Sequence, residues 1–181
     1  MMASVLVAYA TKYGSTREVA EAIAAKLREC RATIDVRAAG DVASLDGYDA
    51  VVFGGALYFF RLRREGRRFL SRHRKALSEM PVAVFGMGPI EDTEEQYVGA
   101  RKHLDKSLAK SQRISPVAVA VFGGVLDPTG LRFPDANPAM KKLSPCDLRD
   151  WGAIEAWADT LPRALGLVFD GPSSSPGAVR R

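Results

Sequence analysis

Five short apolar runs rich in β-branched residues, each followed by apolar residues at helical spacing, restrict this chain more than any other feature. Alternation of that kind builds a parallel sheet with helices on both faces, because parallel strands need helix-length crossovers. Residues 4–10 (SVLVAYA) form the first strand, apolar along their length, as a strand covered on both faces must be. From Ser15, the residues Val19, Ile23 and Leu27 recur every four positions and mark one helical face. Residues 33–37 read as a short, partly polar strand near an edge, and 49–53 (DAVVF) as a third strand closed by Gly54 and Gly55. One helix then carries Leu62, Gly66, Phe69, His73 and Leu77 on its inner face. Residues 81–85 (PVAVF) give the fourth strand. Tyr97, Ala100, Leu104 and Leu108 mark a third helix, and 116–122 (PVAVAVF) give the fifth strand, ended by Gly123 and Gly124. The last helix starts near Arg149 with Trp151, Ile154, Ala158, Leu161 and Leu165 on its core face, and Pro162 kinks or shortens it.

The expected fold class is α/β, a three-layer doubly wound sandwich whose five-stranded parallel sheet has the order 2-1-3-4-5. In such sheets ligands sit beyond the carboxyl ends of the strands, at the point where the strand order reverses. A chain of 181 residues with 47% apolar composition suffices for one such domain, assigned to residues 1–168. Residues 125–145 lack periodicity and hold four prolines, which predicts a long functional loop. Residues 169–181 are rich in Gly, Ser and Pro and read as a disordered tail.

Two widely separated cysteines, Cys30 and Cys146, make no metal-ligand or redox pair and read as reduced structural thiols. The first residues lack the basic and long apolar regions of a secretion signal, and no stretch approaches the ~20 apolar residues that span a bilayer. A cytoplasmic location is the expectation. A net charge of +5 favours acidic partners, anionic small molecules or an anionic membrane surface. The cations show no aromatic interleaving and no nucleic-acid motif, so nucleic acid is not an expected partner.

The loop Thr11-Lys12-Tyr13-Gly14-Ser15-Thr16 joins the first strand to the first helix. Three Ser/Thr hydroxyls and the free N–H groups of a helix start converge there, an arrangement that binds anions. Gly14 permits the tight approach that a phosphate needs. The loop is neither GxxxxGK[ST] nor GxGxxG, and hydroxyls without clustered cations suit a monophosphate ester. Lys12 either adds charge or points to solvent. The alternative is plain capping of the helix by Ser15 or Thr16, with nothing bound.

After the third strand, Gly54 to Phe60 combine small residues with aromatics; either a flat ligand lies there or the aromatics pack internally. Gly86, Met87, Gly88 and Pro89 follow the fourth strand and offer backbone groups to a ring edge.

YATKYGSTREVAEAIA resembles the phosphate-loop helix of flavodoxin-domain proteins. VVFGGALYFFRLRREGRRFLSRHRKAL is similar to their second flavin loop, FGMGPIEDT to the third, and VFGGVLDPTGLRF with DLRDWGAIEAWADTL to the region after the fifth strand. Best known among the relatives it resembles are the flavodoxin-like, quinone-linked protoporphyrinogen dehydrogenases. The resemblance implies the flavodoxin-like fold and FMN as cofactor. Thr11 to Thr16 would hold the FMN phosphate, Ala56, Leu57 and Tyr58 would flank the isoalloxazine, and Gly86 to Pro89 would border its other side. It also implies an FMN-dependent oxidoreductase acting between a small-molecule redox substrate and a quinone acceptor. A non-catalytic flavodoxin carrying electrons between proteins is the alternative. Residues 125–145 are less hydrophobic than the insertion typical of those dehydrogenases.

Arg61, Arg64, Arg68, Arg72 and Lys75 form a cationic stripe opposite the Leu62, Phe69 and Leu77 face. It is either a solvated helix face or, at Arg61 and Arg64, a contact for substrate carboxylates such as propionates. The residues read as structural are His73, at a core-facing position, and His103, on an exposed turn. Trp151 is expected in the core and Trp157 over the sheet edge. No metal site is expected.

Overall fold

In the computed structural model, residues 2–30, 32–58, 61–110, 114–132 and 135–167 are described. Strand β1 (Ala3–Ala10) leads into helix α1 (Ser15–Glu29) and then β2 (Ala32–Ala38). β3 (Ala50–Tyr58) turns back into the two-residue β4 (Arg61–Leu62), followed by α2 (Arg64–Arg72), α3 (Arg74–Leu77) and β5 (Val82–Met87). Then come α4 (Glu94–Lys110), β6 (Ala118–Phe122), β7 (Val125–Leu126), α5 (Pro138–Lys141), β8 (Cys146–Asp147) and α6 (Trp151–Ala164).

The main sheet runs β2-β1-β3-β5-β6, all parallel, so the expected order holds once the short hairpin strand β4 is set aside. One row of paired residues, Val36, Val7, Val52, Ala83 and Ala118, crosses it from edge to edge. Successive strand residues point to opposite faces. Val5, Val7, Val52 and Phe85 therefore enter a core with α1 and α6, while Leu6, Val51, Phe53 and Val84 enter a second core with α2, α3 and α4. Phe53 stacks on Phe69 of α2 at 5.2 Å between ring centroids. The periodic residues Val19, Ile23 and Leu27 are fully buried, as is Leu104.

Several elements differ from the sequence expectation. β3 does not end at Phe53 but continues through Gly54 and Gly55, which the neighbouring side chains require. A Cβ on Gly54 would lie 2.1 Å from the Phe85 ring, and one on Gly55 would lie 2.2 Å from Leu62 Cδ1. The second helix is not continuous. Leu62 belongs to β4, and the helix breaks at His73, whose buried ring nitrogen donates to the Val42 carbonyl oxygen at 3.2 Å. The loop after the fifth sheet strand contains β7 and β8, paired antiparallel, with α5 between them.

Trp151 is not in the core: it is 40% exposed, and the Arg149 guanidinium, rather than apolar side chains, lies over the indole at 4.9 Å. His103 lies within α4, half-buried, rather than on an exposed turn. Trp157 packs edge-on against Phe122 of the edge strand β6, at 5.7 Å. The proposed tail falls outside the described residues.

Candidate functional site

The loop leaving β1 is shaped by its own side chains. Thr11 Oγ1 accepts a hydrogen bond from the Gly14 N–H at 3.0 Å, and Gly14 caps α1 with φ of 99°, a left-handed conformation that favours glycine. No side chain caps this helix, so neither Ser15 nor Thr16 serves as its cap. The first backbone bond into the helix runs from the Glu18 N–H to the Gly14 carbonyl at 3.1 Å. The N–H groups preceding it have no partner within the helix. Thr16 is fully buried, and its hydroxyl has no hydrogen-bond partner among the described residues.

A strap formed by residues 127–145, of which 133–134 lie outside the described set, crosses this loop. The Lys12 ammonium donates to Asp135, and the Tyr13 hydroxyl donates to the same carboxylate oxygen at 2.7 Å. The Arg132 N–H donates to the Tyr13 hydroxyl at 3.3 Å. Asp135 is 8% exposed, and its hydrogen bond is the chief reason the Lys12 pKa stands above its usual value. Lys12 thus points neither to solvent nor solely at a ligand.

The exits of β3, β5 and β6 are laced together. Leu57 fills the space over Gly86 and Gly88; a Cβ on Gly88 would lie 3.0 Å from Leu57 Cβ. The Gly124 N–H donates to the Pro89 carbonyl at 2.6 Å, and the Leu148 N–H donates to the Gly124 carbonyl at 3.0 Å. A Cβ on Gly123 would lie 2.0 Å from the Leu148 carbonyl oxygen, so only glycine fits this backbone crossing. Arg149 secures the strap's far end. Its guanidinium donates to Asp147 and, at 2.5 Å, to Glu18 in the first turn of α1, which raises its own pKa well above the usual arginine value.

Between these loops, at the carboxyl edge of the sheet, lies a cleft of about 280 Å³, near the lower end of the range for small-molecule sites. Of the residues singled out in the sequence, Thr11, Lys12, Tyr13 and Ser15 line it from the β1 side, Ala56 and Leu57 from β3, and Met87, Gly88 and Pro89 from β5. Gly14, the N-cap of α1, and Thr16, buried in its first turn, are not among the lining residues, and Gly86 is buried within β5. Phe59, Phe60 and the side chain of Tyr58 lie outside the described residues, and with them the stacking expected there. Arg61 and Arg64 are exposed and are not in the cleft wall. The cleft also takes in Ile90, Gln96 and Ala100, and, from the strap side, Gly124, Val125, Leu126 and Met140. The lack of periodicity in residues 125–145 pointed to the strap but not to which of its side chains turn inward. Among the described residues no cluster of His, Cys, Asp and Glu is placed to hold a metal. No helix among them is long and apolar enough to cross a membrane.

A doubly wound sheet with a helix start at its switch point has the architecture of nucleotide-binding α/β proteins. Residues 6–143 match the model of the flavodoxin domain, and the chain belongs to the flavodoxin-domain family, whose cofactor is a flavin. It is 27% identical over 123 residues, covering 64% of this chain and 68% of the relative, to protoporphyrinogen IX dehydrogenase (quinone) of Escherichia coli K12. Among solved structures, a short-chain flavodoxin associated with a bacterial microcompartment superposes with a TM-score of 0.58 at 18% identity, covering 91% of this chain and 99% of that one. A flavodoxin of Streptococcus pneumonia TIGR4 gives 0.56 at 19% identity, covering 89% and 99%. At those identities the superpositions establish the fold.

Proposed function

We propose that this chain binds FMN in the cleft and acts as an oxidoreductase of the protoporphyrinogen dehydrogenase type. The observation that carries the reading is the Thr16 hydroxyl, buried without a partner at the start of α1. A buried hydroxyl left unpaired costs about 1–3 kcal/mol, which a phosphate oxygen at that spot would relieve. Thr11, Ser15 and Thr16, with the free N–H groups of the first turn, hold the phosphate through neutral hydrogen bonds. Lys12, drawn toward Asp135, contributes a charge that is already partly balanced. Ala56, Leu57 and Tyr58 flank the ring from β3, while Gly86, Met87, Gly88 and Pro89 border it from β5. Bound FMN supplies the hydride- and electron-accepting chemistry, so the protein needs no activated nucleophile of its own. Arg61 and Arg64, close beyond the β3–β4 turn, suit the carboxylates of a porphyrin-like substrate. A cytoplasmic location and a quinone acceptor belong to the same reading.

The visible spectrum of the purified protein, with identification of any released flavin, tests the cofactor; a colourless protein whose melting temperature ignores added FMN would overturn it. Turnover of protoporphyrinogen with a menaquinone analogue tests the substrate. A second reading, an electron carrier between proteins, is favoured by the cleft lining itself. Among its described lining residues Lys12 alone carries charge, and none of them offers a carboxylate or imidazole as an acid or base. A carrier binds FMN tightly and shows no turnover with quinone alone.

A further inference from the structure

The positive charge of this protein is concentrated in one place. Between Arg61 and Lys75 stand seven arginines and one lysine against a single carboxylate, Glu65, giving the segment +7. With the whole chain at +5, everything outside that segment sums to −2. Arg63 pairs with Glu65 at 3.3 Å. The other seven cations are exposed, and none forms an ion pair with a described residue. Some cations elsewhere are paired, Arg17 with Glu21, Arg101 with Asp105, and Arg149 with Glu18 and Asp147, so the segment differs in the density of its charge. His73, within the segment, is buried with its pKa lowered by desolvation and adds no charge.

The face has a direction. α2 buries Gly66, Phe69 and Leu70, so its cations point outward from the sheet. Its upper end, Arg61 in β4, pairs with Tyr58, and the neighbouring pair is Leu62 with Leu57, which lines the cleft. One strand spacing, about 4.8 Å, therefore separates the start of the cationic face from the cleft wall. From Arg64 to Leu77 the two helices extend the face for roughly 20 Å. Arg61 and Arg64 begin the face, and Arg68, Arg72 and Lys75 follow one to three helical turns further along it, an extent that suits a macromolecular partner. A lipid surface is disfavoured, because membrane-seeking faces combine cations with apolar side chains. The exposed large apolar residues, Val98, Val117, Val125, Leu143 and Trp151 among them, all lie outside this segment.

We propose that the outward face of α2 and α3 docks an acidic electron-transfer protein beside the cleft. Arginine forks match surface carboxylates in bidentate fashion, and the concentrated field steers an acidic partner to the flavin side of the molecule. At each encounter one electron leaves the partner's redox centre, which is oxidised, and enters bound FMN, which is reduced; no covalent bond joins the two proteins. The electron-transfer part rests on the FMN reading above; the docking part does not.

The probe is a reduced acidic [2Fe–2S] ferredoxin. Calorimetric titration of the full chain, with and without FMN, reads docking, and stopped-flow absorbance reads flavin reduction. Ferredoxin is expected to bind at low salt, with affinity and second-order rate each falling by about tenfold on raising the ionic strength through the physiological range. The triple variant R68E/R72E/K75E should lose binding by roughly tenfold or more, R68K/R72K should retain most of it, and the circular dichroism of both should match the parent. Ferredoxin affinity equal in the parent and the well-folded triple variant overturns the proposal. So does tighter binding of basic cytochrome c than of ferredoxin, or sedimentation with phosphatidylserine vesicles by a protein that ignores ferredoxin. A colourless protein that still binds ferredoxin supports the docking face and removes the FMN reading. A yellow protein indifferent to ferredoxin does the reverse.

Discussion

Lys12 and Asp135, 123 residues apart in sequence, share a charge-assisted hydrogen bond that ties the turn after β1 to the strap between β7 and β8. Tyr13 donates to the same carboxylate oxygen, so two neighbouring side chains of the proposed phosphate turn are held by one acidic group. A carboxylate near a bound phosphate opposes it, and it also draws off the Lys12 ammonium. Asp135→Asn keeps the shape, removes the charge and frees Lys12. Screened Coulomb repulsion over such a distance is worth about 1 kcal/mol, so FMN is expected to tighten roughly fivefold relative to riboflavin, which lacks the phosphate. Fluorescence titrations with both flavins give the ratio of Kd values. An unchanged ratio would mean that Asp135 does not sense the phosphate.

Thr16 makes a prediction of opposite sign for the free and loaded forms. Thr16→Val preserves the shape and removes the buried hydroxyl that has no partner. Without flavin the variant should melt at or above the parent temperature, since an unsatisfied polar group has gone, by up to about 1 kcal/mol. Added FMN should raise the melting temperature less than it raises that of the parent. Equal FMN-induced shifts in the two proteins would remove Thr16 from the phosphate site.

Much of this architecture is legible in the residues. Val7, Val52 and Ala83 sit where apolar runs must lie between two helical layers, and Val19, Ile23 and Leu27 mark their helix by spacing alone. Gly54 and Gly55 show the limit: their pairing signals a chain that must come close to something. Whether that is a ligand or the Phe85 ring and Leu62 depends on residues distant in sequence. The break at His73 is hidden for a similar reason, because Leu62, Phe69, His73 and Leu77 keep helical spacing across it. Trp151 follows the apolar period of its helix, yet it is exposed and a guanidinium covers the ring instead. In the cleft, the β1, β3 and β5 loops follow from strand ends. The inward side chains of the strap do not, because β7 and β8 are too short to carry a pattern.

Gly123 should be among the least replaceable residues. A Cβ there would meet the Leu148 carbonyl oxygen at 2.0 Å, a backbone atom held by its own place in the crossing of loops. Gly123→Ala is therefore expected to cost at least ~2 kcal/mol, at the upper part of the range for overpacking. Gly40→Ala serves as the control, since nothing lies within 4 Å of a Cβ at Gly40 and it has no positive φ. Urea midpoints compared at constant m separate the two. Similar midpoints would mean that the strap and β6 exit yield more readily than their geometry suggests.

His73 sets an acid sensitivity whose sign follows from its surroundings. Burial beside the Phe69 ring, 5.0 Å away, lowers its pKa below the ordinary 6.5, and Arg72 pushes the same way; the bond to the Val42 carbonyl opposes both without prevailing. The unfolded chain therefore takes up a proton near pH 6.5, while the native imidazole takes it up only at lower pH. Stability from this group is fully present above 6.5 and is lost as pH falls toward the native pKa, with a slope of at most about 1.4 kcal/mol per pH unit. Asp35 and Asp147, whose pKa values are lowered from 3.8 by Tyr48 and Arg149 respectively, add their own loss only at lower pH. His73→Gln keeps a donor for the Val42 carbonyl and cannot titrate. Its urea-derived stability should stay flat between about pH 6.5 and pH 5, where the parent declines. Parallel curves for parent and variant across that window would show that the imidazole titrates alike in the folded and unfolded chains.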